Sequence, residues 1–467
     1  MRHRPFRRLV AILGAVLACV LGASGETSAQ SRPYRGLFQS ESPNPNSAQA
    51  LTVTASAYGG YDDNATAQQP GASTDPRTQV GSAFGGGDVA LAYSRQAGRR
   101  FSFNSLFSTS TRYYPDLNDL SGGAYQGSAN ASIALNRRTT VVLSQGVSYA
   151  PYFTLGLFPS VDTPISSIAT ADLDLTLIKE PSWQYATTAG LQRQLGRKSE
   201  LSVFYERSQS DFTSERNTPP PTPLLVTIPP PNLAPIPGGP TDTTSLRDLD
   251  FITQGAGFRF TRRVSRYAFL RLGYTYRQSN YATGGDADNL KSHDLDVGVD
   301  YNRSLSLSRK AVLGFSTGSS IIQTADRTFA RLSGQVQLNV ALSRAWDYGL
   351  SYDRGLSYVN GMTAPVFADS FSTRLQGTLS RRVAVAASAG FATGEQALVA
   401  DQDRFTTYTA QAMTQVGLSR FVAAEVEYYY YNYNFGATAV LSPLGVVSRL
   451  GRHGIRGGLS FWFPILR

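Results

Sequence analysis

Cysteine is nearly missing from this chain: Cys19 is the single one among 467 residues. It falls in an N-terminal stretch that reads as an export signal, so the mature chain is expected to hold no thiol. That excludes disulfides and thiolate metal sites. Lysine is scarce, with only Lys179, Lys198, Lys291 and Lys310, and there are three histidines. Beyond the N-terminal region no apolar run reaches the ~18 residues that a helical membrane span needs. The formal net charge of +10 comes without a basic helix or a phosphate-cradling loop. It falls to about +6 when the four arginines of the leader are removed. The remaining arginines sit in turns or alternate along strands, and no nucleic-acid partner is expected.

The leader itself has the three parts of a secretory signal peptide. Met1 to Arg8 carries four arginines, Leu9 to Ala23 is apolar, and Thr27-Ser28-Ala29 offers a small-residue cleavage site. Val16-Leu17-Ala18-Cys19 loosely resembles a lipobox, but Leu17 is bulky where a small residue is preferred. The expected layout is a signal peptide over 1–29, a short periplasmic segment over 30–49, and one domain over 50–467.

What the chain does have is alternation. The 25 tyrosines, 24 phenylalanines and 43 glycines favour strands and turns. Leu51, Val53, Ala55 and Ala57 alternate with polar residues, as do Val89, Leu91 and Tyr93, then Phe101, Phe103 and Phe107. Short basic turns recur at 136–138, 196–198, 262–266, 308–310, 343–344, 381–382 and 419–420. Longer segments rich in Gly, Asp, Asn and Pro lie between them. Short turns on one side and long loops on the other are the asymmetry of an outer-membrane barrel, the short turns being periplasmic. Rising strands are expected near 50, 100, 139, 199, 266, 310, 346, 382 and 421. Falling strands are expected near 83, 124, 183, 249, 291, 328, 368, 404 and 453. The predicted fold is therefore all-β: an antiparallel transmembrane barrel of eighteen strands. The strand-like tract 171–178 is assigned to a long external loop over 150–182 that contains an extra hairpin and folds inward to tune selectivity. Residues 210–247 hold ten of the 24 prolines, including Pro219-Pro220-Pro221 and Pro229-Pro230-Pro231, and read as a stiff external loop.

If one face meets lipid, the other lines a lumen. The phase of alternation puts Arg271, Arg277, Asp296, Asp300, Arg331, Asp347, Asp353, Arg374, Glu425 and Glu427 on that polar face. There they either set a field across a water-filled pore or pair with one another and stiffen the wall. Tyrosines near 428–433 suit an interfacial belt where they face outward. Tyr429 and Tyr431 face inward, where stacking on a sugar ring is the alternative. His293 and His453 lie at strand starts without a placed partner, so polar rim positions are expected and catalysis is not. Metal-ligand spacings are absent, and no cofactor is expected.

The last stretch alternates Ile455, Gly457, Leu459, Phe461 and Phe463 with polar positions. Arg456, Gly458, Phe461 and Phe463 together resemble the C-terminal insertion signal of bacterial outer-membrane barrels, which implies the barrel-assembly machinery as a partner. Residues 149–159 and 293–301 resemble segments of uncharacterised, porin-like outer-membrane barrel proteins, some associated with exopolysaccharide export. The resemblance implies a location in the outer membrane of a Gram-negative bacterium and no catalytic residue. The expected function is a passive pore for ions or small hydrophilic solutes. The alternatives are the barrel component of an exopolysaccharide export or secretion system, working with periplasmic export partners, and a structural or adhesion barrel with a blocked lumen. Solute and oligomeric state do not follow from the sequence.

Overall fold

The computed structural model describes residues 49–466 except 66–80, 99, 118–120, 152, 155–175, 179–180, 214–249, 282–288, 305–309, 325–326, 344, 358–364, 398–403 and 435–448. In chain order the strands begin with β1 (Gln49–Asp62), β2 (Ser82–Ala97), β3 (Phe101–Tyr113), β4 (Gly122–Asn136) and β5 (Thr139–Ala150). Two short strands follow, β6 (Phe153–Thr154) and β7 (Thr176–Ile178), then β8 (Ser182–Gln194), β9 (Ser199–Phe212) and β10 (Phe251–Arg263). The next five are β11 (Ala268–Tyr281), β12 (Leu290–Ser304), β13 (Lys310–Gln323), β14 (Thr328–Ala341) and β15 (Trp346–Ser357). The chain closes with β16 (Val366–Thr378), β17 (Val383–Gln396), β18 (Phe405–Gly417), β19 (Val422–Asn434) and β20 (Arg449–Leu466).

Eighteen of these form one antiparallel sheet that closes on itself where β20 pairs with β1. The seam register runs Gly454↔Asp62, Gly458↔Tyr58, Phe461↔Ala55 and Phe463↔Val53, so the segment resembling an insertion signal is also the closing strand. The chain beyond Phe463 continues the strand through Pro464↔Thr52 to Leu466↔Leu51, across one irregularity. Closure matters because an open edge in hydrocarbon would leave a row of N–H and C=O groups without partners. All eighteen strand starts fall within four residues of the positions expected from alternation. β6 and β7 pair only with each other, Phe153 with Ile178, which is the extra hairpin expected between 150 and 182. The remainder of that loop, the proline-rich loop and residues 1–48 lie outside the described residues.

The strands are staggered. Following paired partners from Thr54 through Ala90, Ser108, Gln126, Ser148, Gln184 and Ser210 leads to Phe251, climbing from mid-strand to the long-loop end. Such a stagger accompanies a strand tilt of about 35–45°.

Alternation assigns the two faces. On β12, Leu295, Val297 and Val299 are 44–49% exposed, although nothing polar accompanies them, so their surroundings are acyl chains. Tyr274, Tyr276 and His293 bound this band at the long-loop end, with Tyr274 Oη 2.9 Å from His293 Nδ1. Tyr428, Tyr430 and His453 repeat the arrangement across β19 and β20. Tyr267 and Tyr301 bound the band at the short-turn end, their rings 6.4 Å apart. Both histidines thus sit in an aromatic belt of amphipathic rings at headgroup depth. An acidic group just beyond β1, Asp63, accepts the His453 backbone N–H at 2.6 Å, and burial raises its carboxyl above the usual range despite that bond.

Two substitutions test the lipid-facing assignment. Val297 lies midway between His293 and Tyr301, so Val297→Arg should cost roughly 2–4 kcal/mol of folding stability, read by urea titration in vesicles. Phe461→Asp should impair insertion and closure together, read as loss of the heat-modifiable band on a gel. Native-like folding of both variants would overturn the assignment.

Candidate channel lumen

The inner face is built from the positions that alternate with the lipid set, and its charged groups are gathered into cross-strand pairs. Arg271 on β11 faces Gly298 on β12, an opening that lets its guanidinium lie between two carboxylates. Its Nε is 3.7 Å from Asp296 and its Nη1 is 3.3 Å from Asp300. Six residues further along β11, Arg277 reaches Glu206 on β9 and Asp294 on β12, each at 2.5 Å. Gly255 stands between Arg277 and Glu206 in the register, and a side chain there would collide with the arginine. This cluster sets two arginines among four carboxylates, an acidic excess that pairing reduces and that Arg259, exposed on the same face of β10, offsets in part.

Across the seam, Arg456 donates to Glu427 at 2.7 Å and lies over the Tyr58 ring at 5.2 Å. Tyr58 in turn packs across Gly458, where a Cβ would come within 2.4 Å of the Ala57 carbonyl oxygen. Of the four residues read as an insertion signal, then, Arg456 and Gly458 shape the interior, while Phe461 and Phe463 face outward. Glu425 lies on the same inner face of β19, two residues before Glu427 and opposite Gly458. Arg374 lies beside Gly349, which leaves room for its guanidinium. Asp347 and Asp353 are exposed on the inner face of β15 without an ion pair among the described residues.

A set of contacts near the seam was not legible in the sequence. Arg452 and Asp62, 1% and 0% exposed, form an ion pair at the long-loop end of the seam, in which Nε and Nη2 both donate to Asp62 Oδ2. Arg452 also donates to Tyr114, while Arg112 stacks on Phe84 at 4.5 Å. Ser56 and Tyr58 both donate to Asp88. The phase of β1 does place Asp62 on the face of Thr54, Ser56 and Tyr58, so its direction was available although its partner was not. Tyr429 packs against Gly454 and is fully buried, so it offers no surface for a passing sugar ring.

Arg331 makes the most informative contact. It pairs with Glu395 at 2.9 Å, yet β14 and β17 have two strands between them. At ~4.8 Å per strand the wall alone would hold them about 14 Å apart. The pairing of β14 with β15 stops at Gly334↔Arg354, whereas β15 and β16 stay paired as far as Ser357↔Val366. Above that point Phe367 joins one apolar cluster with Phe251, Tyr281, Leu290 and Ile322, and Leu356 packs against it. Both Arg331 and Arg354 lie over Phe367. The ends of β15–β17 therefore bend inward and pass inside β10–β14, narrowing the lumen at the long-loop end.

Burial along the inner face follows the same gradient. Phe251, Thr253, Ser210, Ser279, Ser320 and Thr407 are buried toward the long-loop end. Asn104, Asn130, Gln192, Glu200, Arg259, Gln335 and Gln337 are exposed toward the short turns. The interior is a polar vestibule that closes down toward one end.

No family model and no curated protein matches the chain. Several solved structures align with most of its length. Pseudomonas aeruginosa OpdQ aligns with a TM-score of 0.43 at 10% identity, over 90% of this chain and 98% of that one. Pseudomonas aeruginosa OccK2 (OpdF), solved with glucuronate, gives 0.45 at 8% over 90% and 98%. Acinetobacter baumannii OccAB2 gives 0.44 at 9%, again over 90% and 98%.

The buried seam pair yields a direct test. Asp62→Asn removes the carboxylate that the buried Arg452 guanidinium holds, and should cost about 3–5 kcal/mol in urea titration. Asp62→Leu with Arg452→Met should recover most of that loss. Equal destabilisation by the single and the double change would show that the charges are not coupled.

Proposed function

We propose that this barrel is a passive channel of the outer membrane for ions and small hydrophilic solutes. The observation that carries the reading is the gradient of the inner face. It is charged and hydrated at the short-turn end, and it contracts where β15–β17 cross the lumen. Eighteen strands enclose enough room for water unless something fills it. Wall charges act on a solute only where the bore is narrow, since beyond about 8–10 Å salt screens them. Arg331 would act in the narrow part, while Arg271, Arg277, Asp296, Asp300, Arg374, Glu425 and Glu427, with Asp347 and Asp353, would set the field along the vestibule that leads to it. The acidic excess beside Arg271 and Arg277 favours cations.

The same burial favours a second reading, a structural barrel whose lumen is blocked at the long-loop end. Planar-bilayer recording separates the two. Wild type should conduct. Arg271→Ala removes the cation between Asp296 and Asp300 and should shift the reversal potential further toward cations. Breaking the Arg331–Glu395 tie with Arg331→Ala should raise single-channel conductance. A barrel silent under every salt and voltage tried would sink the channel and leave the blocked barrel.

A further inference from the structure

The short turns carry a repeat that neither the channel nor the closure of the barrel uses. Leu135-Asn136-Arg137, Leu195-Gly196-Arg197, Val264-Ser265-Arg266, Leu379-Ser380-Arg381 and Leu418-Ser419-Arg420 share one pattern: an aliphatic residue, a turn former, then arginine. Leu307-Ser308-Arg309 and Leu342-Ser343-Arg344 continue it in the sequence. The residue after the arginine is a cation in Arg138, Lys198 and Arg382, or an aromatic in Tyr267 and Phe421.

The geometry repeats as well. The aliphatic N–H donates to the carbonyl four residues on in the turns at Leu195, Val264, Leu342, Leu379 and Leu418. The side-chain oxygen of Asn136, Ser265, Ser343, Ser380 or Ser419 accepts the N–H two residues on. These bonds satisfy the turn from within and lock it. Neither the aliphatic nor the arginine side chain is needed for that, and both project outward. Leu135 is 58% exposed, Leu195 52%, Val264 66%, Leu379 47% and Leu418 54%, while all five arginines are exposed and make no ion pair among the described residues. Acidic residues are nearly missing at this end: Glu200 and Asp347 are the nearest described ones, and both face the lumen.

We infer that these turns form an anchoring ring for anionic phospholipid headgroups at the inner surface of the outer membrane. Each aliphatic side chain dips into the acyl boundary, each arginine binds headgroup phosphate above it, and Tyr267 and Phe421 supply the interfacial rings. Guanidinium suits this contact because it meets phosphate through two parallel hydrogen bonds. An acidic periplasmic protein is the other class of partner a basic rim would fit. A protein contact should gather on one arc, whereas the repeat runs round the barrel from the β4–β5 turn to the β18–β19 turn. It also pairs every charge with an exposed aliphatic residue. The inference rests on the same orientation as the channel, with short turns in the periplasm, and is independent of whether the lumen conducts.

The test uses the full barrel in nanodiscs holding equal parts of phosphatidylglycerol and phosphatidylcholine, with native mass spectrometry counting the lipids retained. Wild type should keep phosphatidylglycerol in roughly tenfold preference, falling as salt rises. Changing Arg137, Arg197, Arg266, Arg381 and Arg420 together to Gln should bring the ratio close to parity. Changing the same five to Lys should preserve most of it. Heat-modifiable mobility checks that each variant is folded, and Lys291→Gln with Arg449→Gln at the far end should leave the ratio unchanged. No preference in wild type, or an unchanged preference in the five-Gln variant, would overturn the inference; an acidic protein captured in place of lipid would do so too. Conductance recorded on the same variants reports on the channel separately, so a silent barrel with intact lipid preference counts against the pore alone.

Discussion

Everything in this molecule depends on backbone hydrogen bonding in a solvent that offers none. Inside hydrocarbon an unpaired N–H or C=O costs several kcal/mol, so a spanning sheet must have no edge. The pairing of β20 with β1 meets that demand, and the register Phe461↔Ala55 and Phe463↔Val53 lets the last strand also turn its aromatic residues to the lipid. Once the sheet is closed, the two-residue period leaves each side chain one choice, acyl chains or lumen. The placement of arginines and carboxylates on the inner face is a consequence of closure before it is a feature of any channel.

The inner face has its own constraint. Charges held away from bulk water must be paired or solvated, and the glycines opposite them make the pairing possible. Gly298 admits Arg271 between Asp296 and Asp300, Gly255 admits Arg277 beside Glu206, and Gly458 admits Tyr58 beneath Arg456. Pairing and selectivity are not competing roles here. A cluster that sets Arg271 and Arg277 among four carboxylates is stiffened by its ion pairs and still presents an acidic excess to whatever passes beside it.

Regular features of the fold were legible because they are periodic. Alternation located all eighteen strands to within four residues, and the tract 171–178 could be recognised as a hairpin instead of a nineteenth strand because parity forbade the extra crossing. The basic turns were visible too, although the shared pattern of aliphatic residue, turn former and arginine gains meaning only from its exposed geometry. Among the candidate lumen residues, phase assigned Arg271, Asp296, Glu427 and the others to one face. It could not tell that Glu206 or Glu395 would be the partner, because such pairs lie far apart in sequence. The alternative of Tyr429 as a stacking surface is closed for the same reason: the packing that encloses it comes from neighbouring strands.

The sequence by itself determined the strand count, the lipid-facing set and the end of the barrel that carries the short basic turns. Those are local properties, fixed by a two-residue period and by turn chemistry within a few positions. Only the tertiary structure decided the stagger between strands, the enclosure of Arg452 with Asp62, and the inward passage of β15–β17 that joins Arg331 to Glu395 across two intervening strands. Such contacts depend on where the ladder between β14 and β15 ends and how the closed sheet bends there, which no alternation within a single strand encodes.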